Sequence, residues 1–361
     1  MKNVWTLRLC AVVLCAALLG GCAASGGSLA ESTAPADPLT GQELLYPGQR
    51  AVAVVIENNA SSTTQWGIGS ASVVLEALTD AQDSTSLCLV YPALSAMPAV
   101  GPVTLGQDIY WRLLYGQQVL PIQCGSGRYA RSFLEYYNLR AVDALEVGCN
   151  AFTCDSTWSN HPLWHTSGRA VAAVLDTLGI SAEAYQTNDT ASSTPDETAA
   201  AAALPQLLPQ RTEGHLPDAN ATDAVRATVN FQSGEATGFA YNADLGTYGM
   251  LHADGSPQLD ANTGTQAAFE NLLVLYSASS LRDDEKTLDY DLTMGGGVWL
   301  NGGHLWHITW TQGTDSTFAF YDSNGKPLTI PAGRSYIALL SSLTGQELTV
   351  QNSAGENLLA E

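Results

Sequence analysis

A low-complexity segment near the middle of the chain separates two stretches with different residue patterns. Residues 181–223 contain TASSTPDETAAAAALPQLLPQ, a composition typical of linkers and surface insertions. Strand-like and helical patterns alternate before this segment, whereas strand-like patterns follow one another after it. The length of 361 residues also favours two domains over one. We therefore predict an N-terminal domain over residues 49–180 and a C-terminal domain over residues 224–352.

The N-terminal domain has the pattern of an α/β fold. Residues 50–57 (RAVAVVIE) form a β-branched run typical of a buried strand, and residues 128–139 show amphipathic helical spacing. Ser167 and Gly179 are suitable start and stop residues for a further helix. Residues 142–147 have the pattern of a short strand. This alternation predicts a mixed sheet with helices packed on it.

The C-terminal domain has the pattern of an antiparallel β fold. Asn301-Gly302-Gly303 lies between two strand-like runs and is a strong signal for a tight hairpin, and residues 322–325 (DSNG) form a second such signal. Trp306 and Trp310 share one face of the strand after the first turn, which indicates packing or an exposed aromatic ridge that binds sugar. We predict a mostly antiparallel β domain.

The N-terminus has the pattern of an export signal. Lys2 and Arg8 are positively charged, and an apolar run of about half the length of a membrane span follows them. The run ends in Leu-Gly-Gly-Cys, and small residues before a cysteine are the pattern of a bacterial lipobox. We predict a signal peptide over residues 1–21, lipid attachment at Cys22 and a tether over residues 22–48. The lipid would hold the protein on the extracytoplasmic face of the cell membrane.

The charge of the chain excludes several classes of partner. Asp and Glu total 35 against 14 Lys and Arg, for a formal net charge of −21. Nucleic-acid binding and docking on an anionic membrane both require clustered positive charge, so neither is expected. The sequence also lacks the common motifs for metal, nucleotide and dinucleotide binding, and we predict no cofactor and no metal site.

Four cysteines remain after the predicted signal peptide and Cys22 are set aside, and an even number in an exported chain suggests two disulfides. Of the three pairings, we favour Cys149 with Cys154, a short loop closure, and Cys88 with Cys124, which both lie in apolar strand-like runs. A zinc site is disfavoured because the close pair has four residues between its cysteines.

A few polar residues are candidates for a binding site. Glu57 and Asn58 end the first strand, where α/β proteins tend to place binding groups, although a local turn gives the same pattern. Glu76 lies in an apolar run, so its side chain is either buried and paired or on the solvent face.

The other candidates lie in loops. Gly125 and Ser126 precede a helix, so their backbone N–H groups are candidates for anion binding, with a purely structural turn as the alternative. His161 lies in a Trp-flanked loop and completes the predicted site.

Both halves resemble the YerB-like lipoproteins, a bacterial family built from a two-part domain of unknown function. The resemblance rests on the order of short motifs: residues 37–41 (DPLTG), 53–59 (AVVIENN), 73–78 (VVLEAL), 101–103 (GPV), 161–167 (HPLWHTS), 239–241 (FAY), 288–292 (LDYDL) and 320–326 (FYDSNGK). The family usually carries an Arg-Ser-Ala-Arg run after the Gly-Pro-Val motif, where this chain has residues 104–107 (TLGQ). A family His is likewise absent near residues 122–126 (IQCGS). This version of the family's polar motifs is degenerate.

The loss of guanidinium and imidazole groups favours binding over catalysis. We expect a non-catalytic lipoprotein that binds a cell-envelope component, such as a cell-wall glycan, a protein partner or a small ligand. One alternative is an envelope hydrolase or transferase that acts on peptidoglycan or another glycan. Another is a structural or assembly factor of the cell envelope.

Overall fold

The apolar runs of the sequence form the buried strands of the fold. The computed structural model of the protein describes residues 35–58, 64–80, 85–155, 163–184, 204–211, 222–232, 235–341, 343 and 345–360. The predicted signal peptide, the lipid attachment at Cys22 and the tether up to residue 34 lie outside the described residues. In the part of the chain that is described, no helix is long and apolar enough to cross a membrane.

Strands and helices alternate in the N-terminal half. The strands are β1 (Val52–Glu57), β2 (Val73–Ala77), β3 (Ser86–Tyr91), β4 (Ala99–Val103), β5 (Leu120–Gln123), β6 (Val142–Asp143), β7 (Thr153–Asp155) and β8 (Leu163–Ser167). The helices are α1 (Asp108–Leu113), α2 (Arg128–Tyr136), α3 (Ala144–Val147) and α4 (Gly168–Leu178). The predicted helix ends of α4 are confirmed, because the Ser167 hydroxyl accepts a hydrogen bond from the Ala170 N–H and Gly179 adopts a left-handed conformation. The strand predicted over 142–147 is wrong after residue 143, because the Asp143 side chain accepts the Leu145 N–H and starts α3.

Strands dominate the C-terminal half. They are β9 (Gln210–Arg211), β10 (Thr222–Asp223), β11 (Arg226–Gln232), β12 (Glu235–Asn242), β13 (Thr247–Leu251), β14 (Ala268–Phe269), β15 (Asn271–Ser277), β16 (Ser279–Leu281), β17 (Leu288–Tyr290), β18 (Met294–Asn301), β19 (His304–Gln312), β20 (Phe318–Tyr321), β21 (Pro327–Leu328), β22 (Ile330–Pro331), β23 (Ser335–Ser341) and β24 (Glu347–Gln351). Both predicted hairpins form, as β18–β19 and β20–β21.

One long sheet runs through both halves of the described chain. Its order is β21-β20-β19-β18-β15-β23-β2-β3-β1-β4-β8-β7, with β5 beside β1 and β6 and with β10 beside β19. The halves meet where β2 pairs in parallel with β23, with Val73 opposite Ser335. The N-terminal part mixes parallel and antiparallel pairs, as predicted. Strands of both predicted domains therefore share one sheet, and the predicted domain boundaries stay a prediction.

A second sheet packs on the first and is antiparallel throughout. Its order is β14-β13-β12-β11-β24. The rings of Phe239 and Phe269 lie 4.7 and 6.0 Å from the ring of Tyr336 in the long sheet. The C-terminal part is thus mostly antiparallel, and the predicted fold class is confirmed. In the predicted linker, Leu207 and Leu208 are fully buried. Strand β9 of the same segment pairs with β22, which lies near the end of the chain.

Different elements pack on the two faces of the long sheet. Every residue of β2 and β3 is buried, as expected for strands that are covered on both faces. On one face, the Tyr110 hydroxyl of α1 donates a hydrogen bond to the Ser86 carbonyl oxygen. On the other face, Phe239 and Phe269 of the second sheet pack against Tyr336. Helix α1 has no exposed residue, whereas most residues of α2 are exposed or half-buried.

The two predicted disulfides are not formed. Cys88 carries a buried thiol in β3, and Cys149 carries a free, exposed thiol. Strand β1 lies between β3 and β5, so two strand spacings of nearly 5 Å separate Cys88 from Cys124, which follows β5. A disulfide requires Cα atoms within about 7 Å. The pairing of Cys149 with Cys154 is also absent, and the Cys154 side chain lies outside the described residues.

Candidate functional site

Glu76 lies at the centre of a hydrogen-bond network between the two sheets. Its carboxylate accepts hydrogen bonds from Asn58 Nδ2 (2.7 Å), Thr85 Oγ1 (2.7 Å), Thr237 Oγ1 (2.8 Å) and Tyr336 Oη (2.6 Å). The side chain is buried, which settles the alternative in favour of the buried and paired position. Burial raises the pKa of Glu76, and the four hydrogen bonds oppose this effect. The carboxyl group is inaccessible to solvent, and its surroundings are those of a residue with a structural role.

Asn58 joins this network, whereas Glu57 faces the opposite side of the sheet. Glu57 lies opposite Ser86 and Glu76 lies opposite Leu87, so alternation along the strands places the two glutamates on different faces. Gln65 Nε2 donates to the Glu57 carbonyl oxygen (2.6 Å) and to Asn58 Oδ1 (3.3 Å). The structure therefore brings together Asn58 and Glu76 but not the Glu57 side chain.

The turn that contains Gly125 and Ser126 already holds a carboxylate of this chain. The Gly125 N–H donates to Asp143 Oδ1 (2.8 Å), and Gln123 Nε2 donates to Asp143 Oδ2 (3.0 Å). Gly127 N–H is bonded to the Gly106 carbonyl oxygen. These bonds support the structural-turn alternative, and binding of an external anion at Gly125 and Ser126 stays a prediction. His161 lies outside the described residues.

A small crevice lies beside this turn, at the carboxyl ends of β2 and β5. It has a volume of about 150 Å³. Its lining comprises Thr79, Asp80, Leu105, Gln107, Asp108, Gly127, Arg128, Tyr129, Ala130, Asp284 and Thr287. We call it the charged crevice. Its volume is well below the range of about 300–1,000 Å³ that is usual for small-molecule sites.

Two aspartates and two arginines form a ring of ion pairs at the charged crevice. Arg282 lies 2.6 Å from Asp108 and 3.0 Å from Asp289, and Arg112 lies 2.8 Å from Asp289. Burial raises the pKa of Asp108, although both arginines oppose the shift. Tyr129 packs its ring under the Arg282 guanidinium, 4.3 Å from the ring centre. The opposite charges compensate one another, so the ring fastens the hairpin β16–β17 to α1.

A larger groove lies on the other side of Arg112. Its volume is about 340 Å³. Its lining comprises Arg112, Tyr115, Phe133, Tyr137, Asp291, Leu292, Thr293, Gln312, Gly313, Thr314 and Ser316. We call it the aromatic groove. We refer to Tyr115, Phe133 and Tyr137 as its aromatic wall and to Asp291, Thr293, Gln312, Thr314 and Ser316 as its polar wall. Its volume lies within the usual range for a ligand site.

The rings of the aromatic groove form a contiguous cluster. Tyr137 lies 4.6 Å from Tyr115 and 4.7 Å from Phe133, measured between ring centres, and Tyr136 lies 4.8 Å from Tyr137. The exposed fractions are 39% for Tyr115, 41% for Tyr137 and 82% for Tyr136. Exposure of three adjacent large rings is unusual for a surface with no partner.

Of the two alternatives for the tryptophans of β19, the structure supports packing rather than an exposed aromatic ridge. Trp310 is fully buried, and Trp306 stacks on Trp299 with ring centres 4.4 Å apart. Within the described residues, no group of three or more His, Cys, Asp or Glu side chains is placed to hold a metal ion. The aromatic groove and the charged crevice are therefore the features of interest.

Sequence reasoning missed most residues of these two features. The cluster combines Tyr115 from the turn after α1 with three rings at the end of α2, and no local signal connects the two segments. The ion-pair ring joins Asp108 to Arg282, 174 residues apart. The charged run around residues 282–286 (RDDEK) was the available signal for the second feature.

The fold and the surface features define a protein with a mixed α/β part, an antiparallel β part, one shared sheet and an open aromatic groove. The chain belongs to the family described as protein of unknown function (DUF3048). The N-terminal domain of that family matches residues 39–181, and its C-terminal domain matches residues 227–337. The family resemblance of the sequence is thereby confirmed.

Two comparisons with individual proteins agree with this assignment. A Bacillus subtilis (strain 168) protein named "Putative lipoprotein YerB" is 24% identical over 319 residues, which cover 86% of this chain and 88% of that protein. The crystal structure of the YerB protein from Bacillus subtilis superimposes with a TM-score of 0.71 at 20% identity, covering 87% of this chain and 99% of that chain. At this identity, the structural match shows the fold.

Proposed function

We propose that this protein is a membrane-tethered extracytoplasmic lipoprotein that binds a component of the cell envelope through the aromatic groove without transforming it. The observation that carries the proposal is the groove itself. Its lining combines partly exposed aromatic rings with polar side chains around a volume of about 340 Å³. Apolar walls with a few convergent polar groups are typical of ligand sites.

The position of the two carboxyl groups whose pKa values are raised by burial supports binding rather than catalysis. A general acid or base must lie within hydrogen-bond reach of the substrate. Glu76 is buried between the sheets with four donors on its carboxylate, and Asp108 is held by Arg282 and Arg112. Neither carboxyl group lines the aromatic groove.

The anchoring part of the proposal rests on the N-terminal sequence. The apolar run and the lipobox-like residues before Cys22 support lipid attachment at that cysteine. The name of the Bacillus subtilis relative agrees with this assignment. A lipid anchor would keep the groove close to the membrane and within reach of the cell wall.

A sedimentation experiment with purified peptidoglycan sacculi tests the proposal. The full chain, purified in detergent micelles, is mixed with sacculi, and the pelleted protein and the released soluble fragments are both measured. We expect pelleting without release, and weaker pelleting of Tyr137→Ala. Glu135→Ala is the matched control, because Glu135 is exposed on the same helix and does not line the groove.

Each other result would change the assignment. Release of soluble fragments above the background of a protein-free sample would support the envelope-hydrolase alternative. Absence of pelleting would remove the cell wall as the bound component. Equal pelleting of Tyr137→Ala and Glu135→Ala would place the binding site outside the aromatic groove.

A further inference from the structure

We propose that the aromatic groove is a binding site for a neutral saccharide. The inference rests on the proposed binding function and names the ligand class of that site. Sugars present C–H groups on the faces of the ring and hydroxyl groups around its edge. A matching site therefore needs flat apolar surfaces beside hydrogen-bonding groups. The aromatic groove has both kinds of wall.

The aromatic wall supplies stacking surfaces. Tyr115 and Tyr137 pack against each other and against Phe133, yet about two-fifths of each tyrosine remains exposed. Aromatic rings that are fixed by their neighbours lose little conformational entropy when a ligand binds. Tyrosine also carries a hydroxyl that bonds to a polar ligand edge.

The polar wall supplies hydrogen-bonding groups in fixed positions. Asp291 Oδ1 accepts hydrogen bonds from the Thr293 N–H (2.8 Å) and the Thr293 hydroxyl (2.6 Å). These bonds orient the carboxylate, and its Oδ2 accepts no hydrogen bond from the described residues. Gln312 Nε2 donates to the carbonyl oxygens of Leu113 and Ser316, which fixes that amide against α1. A carboxylate and an amide are suitable partners for sugar hydroxyls.

The charges of the groove favour a neutral ligand. Hydrogen bonds from Thr293 lower the pKa of Asp291, so this carboxylate is ionised at neutral pH. Arg112 is the cation of the lining, and it is paired with Asp289 at 2.8 Å and donates to the Tyr290 carbonyl oxygen. A phosphate or carboxylate ligand would meet a negative charge with no uncompensated cation. The net charge of −21 adds to this repulsion.

The loops that carry Tyr115 and Ser316, which both line the groove, are tightly packed against each other. A Cβ atom on Gly116 would lie 1.6 Å from the Asp315 carbonyl oxygen, so the turn after α1 and the loop before β20 are in direct contact. The Gly116 N–H also donates to the Ser316 hydroxyl (3.1 Å). These contacts hold the loop of Tyr115 against the loop of Ser316 in the absence of a ligand.

Titration with defined oligosaccharides tests the inference. The neutral probes are N-acetylchitotetraose and cellotetraose, and the anionic probe is tetragalacturonate. Binding to the full chain in detergent micelles is measured by isothermal titration calorimetry. We expect a neutral probe to bind at least about tenfold more tightly than tetragalacturonate, which corresponds to about 1.4 kcal/mol.

Variants assign the binding to the groove. We expect Tyr137→Ala to weaken binding of the neutral probe by about tenfold. Tyr137→Phe retains the stacking ring and loses only the hydroxyl, so it should weaken binding less than Tyr137→Ala. Glu135→Ala is the matched control and should leave binding unchanged. Circular dichroism of each variant verifies that the fold is intact.

The other outcomes would overturn the inference in distinguishable ways. If sacculi pellet the protein but neither neutral probe binds, the proposed function stands and the saccharide assignment is wrong. If the probes bind equally well to Tyr137→Ala, the saccharide site lies elsewhere. Preferential binding of tetragalacturonate would reverse the charge argument. If neither sacculi nor probes bind, both the proposed function and this inference are wrong.

Discussion

Thr237 in the second sheet donates a 2.8 Å hydrogen bond to Glu76 in the long sheet, and this bond joins residues 161 positions apart. Tyr336 in β23 and Thr85, which directly precedes β3, donate to the same carboxylate. A buried carboxylate with a full set of donors fixes the relative position of the elements that supply them. The contact therefore locates the second sheet on the face of the first.

Replacement of Glu76 by Gln should destabilise the fold. The amide would direct an N–H group toward side chains that donate to the carboxylate, so either a hydroxyl turns to accept from it or a buried donor loses its acceptor. We expect the free energy of unfolding to fall by about 2–3 kcal/mol in urea denaturation. Tyr336→Phe is the control, because it removes one donor and leaves the carboxylate in place, and its loss should be smaller. A larger loss for Tyr336→Phe would contradict the central position of Glu76.

The stability contributed by Glu76 should decrease as the pH rises. Burial raises its pKa in the folded state above the ordinary value of 4.5, so the native state binds the proton more readily than the unfolded state. The stability of the unmodified chain relative to Glu76→Gln should therefore fall as the pH rises from 4.5 through the folded-state pKa. Urea denaturation of both proteins at several pH values measures this difference. A difference that rises with pH would show that the four hydrogen bonds outweigh burial.

Arg282→Gln should destabilise the protein more than Arg128→Gln. Arg282 compensates the buried Asp108 at 2.6 Å, and its loss leaves that carboxylate with Arg112 at 3.7 Å. We expect the free energy of unfolding to fall by about 2 kcal/mol. Arg128 forms an exposed pair with Asp283, and its replacement should have little effect. Equal losses in thermal or urea denaturation would contradict the structural importance of the ion-pair ring.

The sequence predicts those parts of the fold that depend on local signals. Ser167 and Gly179 mark the ends of α4, because capping and left-handed stops depend on neighbouring residues. Gly302 and Gly303 have positive φ angles in the predicted hairpin turn. The prediction over residues 142–147 failed because an N-terminal cap by Asp143 competes with strand propensity at this position.

Long-range pairing is not encoded in such signals. The parallel pairing of β2 with β23 joins segments more than 250 residues apart, and hydrophobicity alone does not select this neighbour. For the candidate site, the sequence left open whether Glu76 is buried and paired or faces solvent. Its environment depends on Thr237 and Tyr336, which are distant in the chain. The disulfide prediction failed for a similar reason, because an even number of cysteines does not give the distance between Cys88 and Cys124. The aromatic groove could not be predicted from the sequence for the same reason, because its lining comes from segments that are far apart in the chain.

Gly116→Ala should disturb the aromatic groove. The added Cβ would lie 1.6 Å from the Asp315 carbonyl oxygen, so the two loops must separate. We expect a loss of about 1–3 kcal/mol in stability and weaker pelleting with sacculi. Gly296→Ala is the matched control, because a Cβ there meets no atom within 4 Å. Equal behaviour of the two variants in urea denaturation and pelleting would contradict the close contact.

Thiol labelling should distinguish the cysteines of the folded, unreduced protein. The free thiol of Cys149 is exposed, so we expect rapid reaction with a maleimide reagent. Cys88 is fully buried and its pKa is raised by burial, so labelling should require denaturation but no reductant. Peptide mass spectrometry after labelling, with and without denaturant and reductant, measures both sites. If Cys149 reacts only after reduction, the disulfide with Cys154 exists in the purified protein. If Cys88 also reacts only after reduction, the strand order around β1 is wrong.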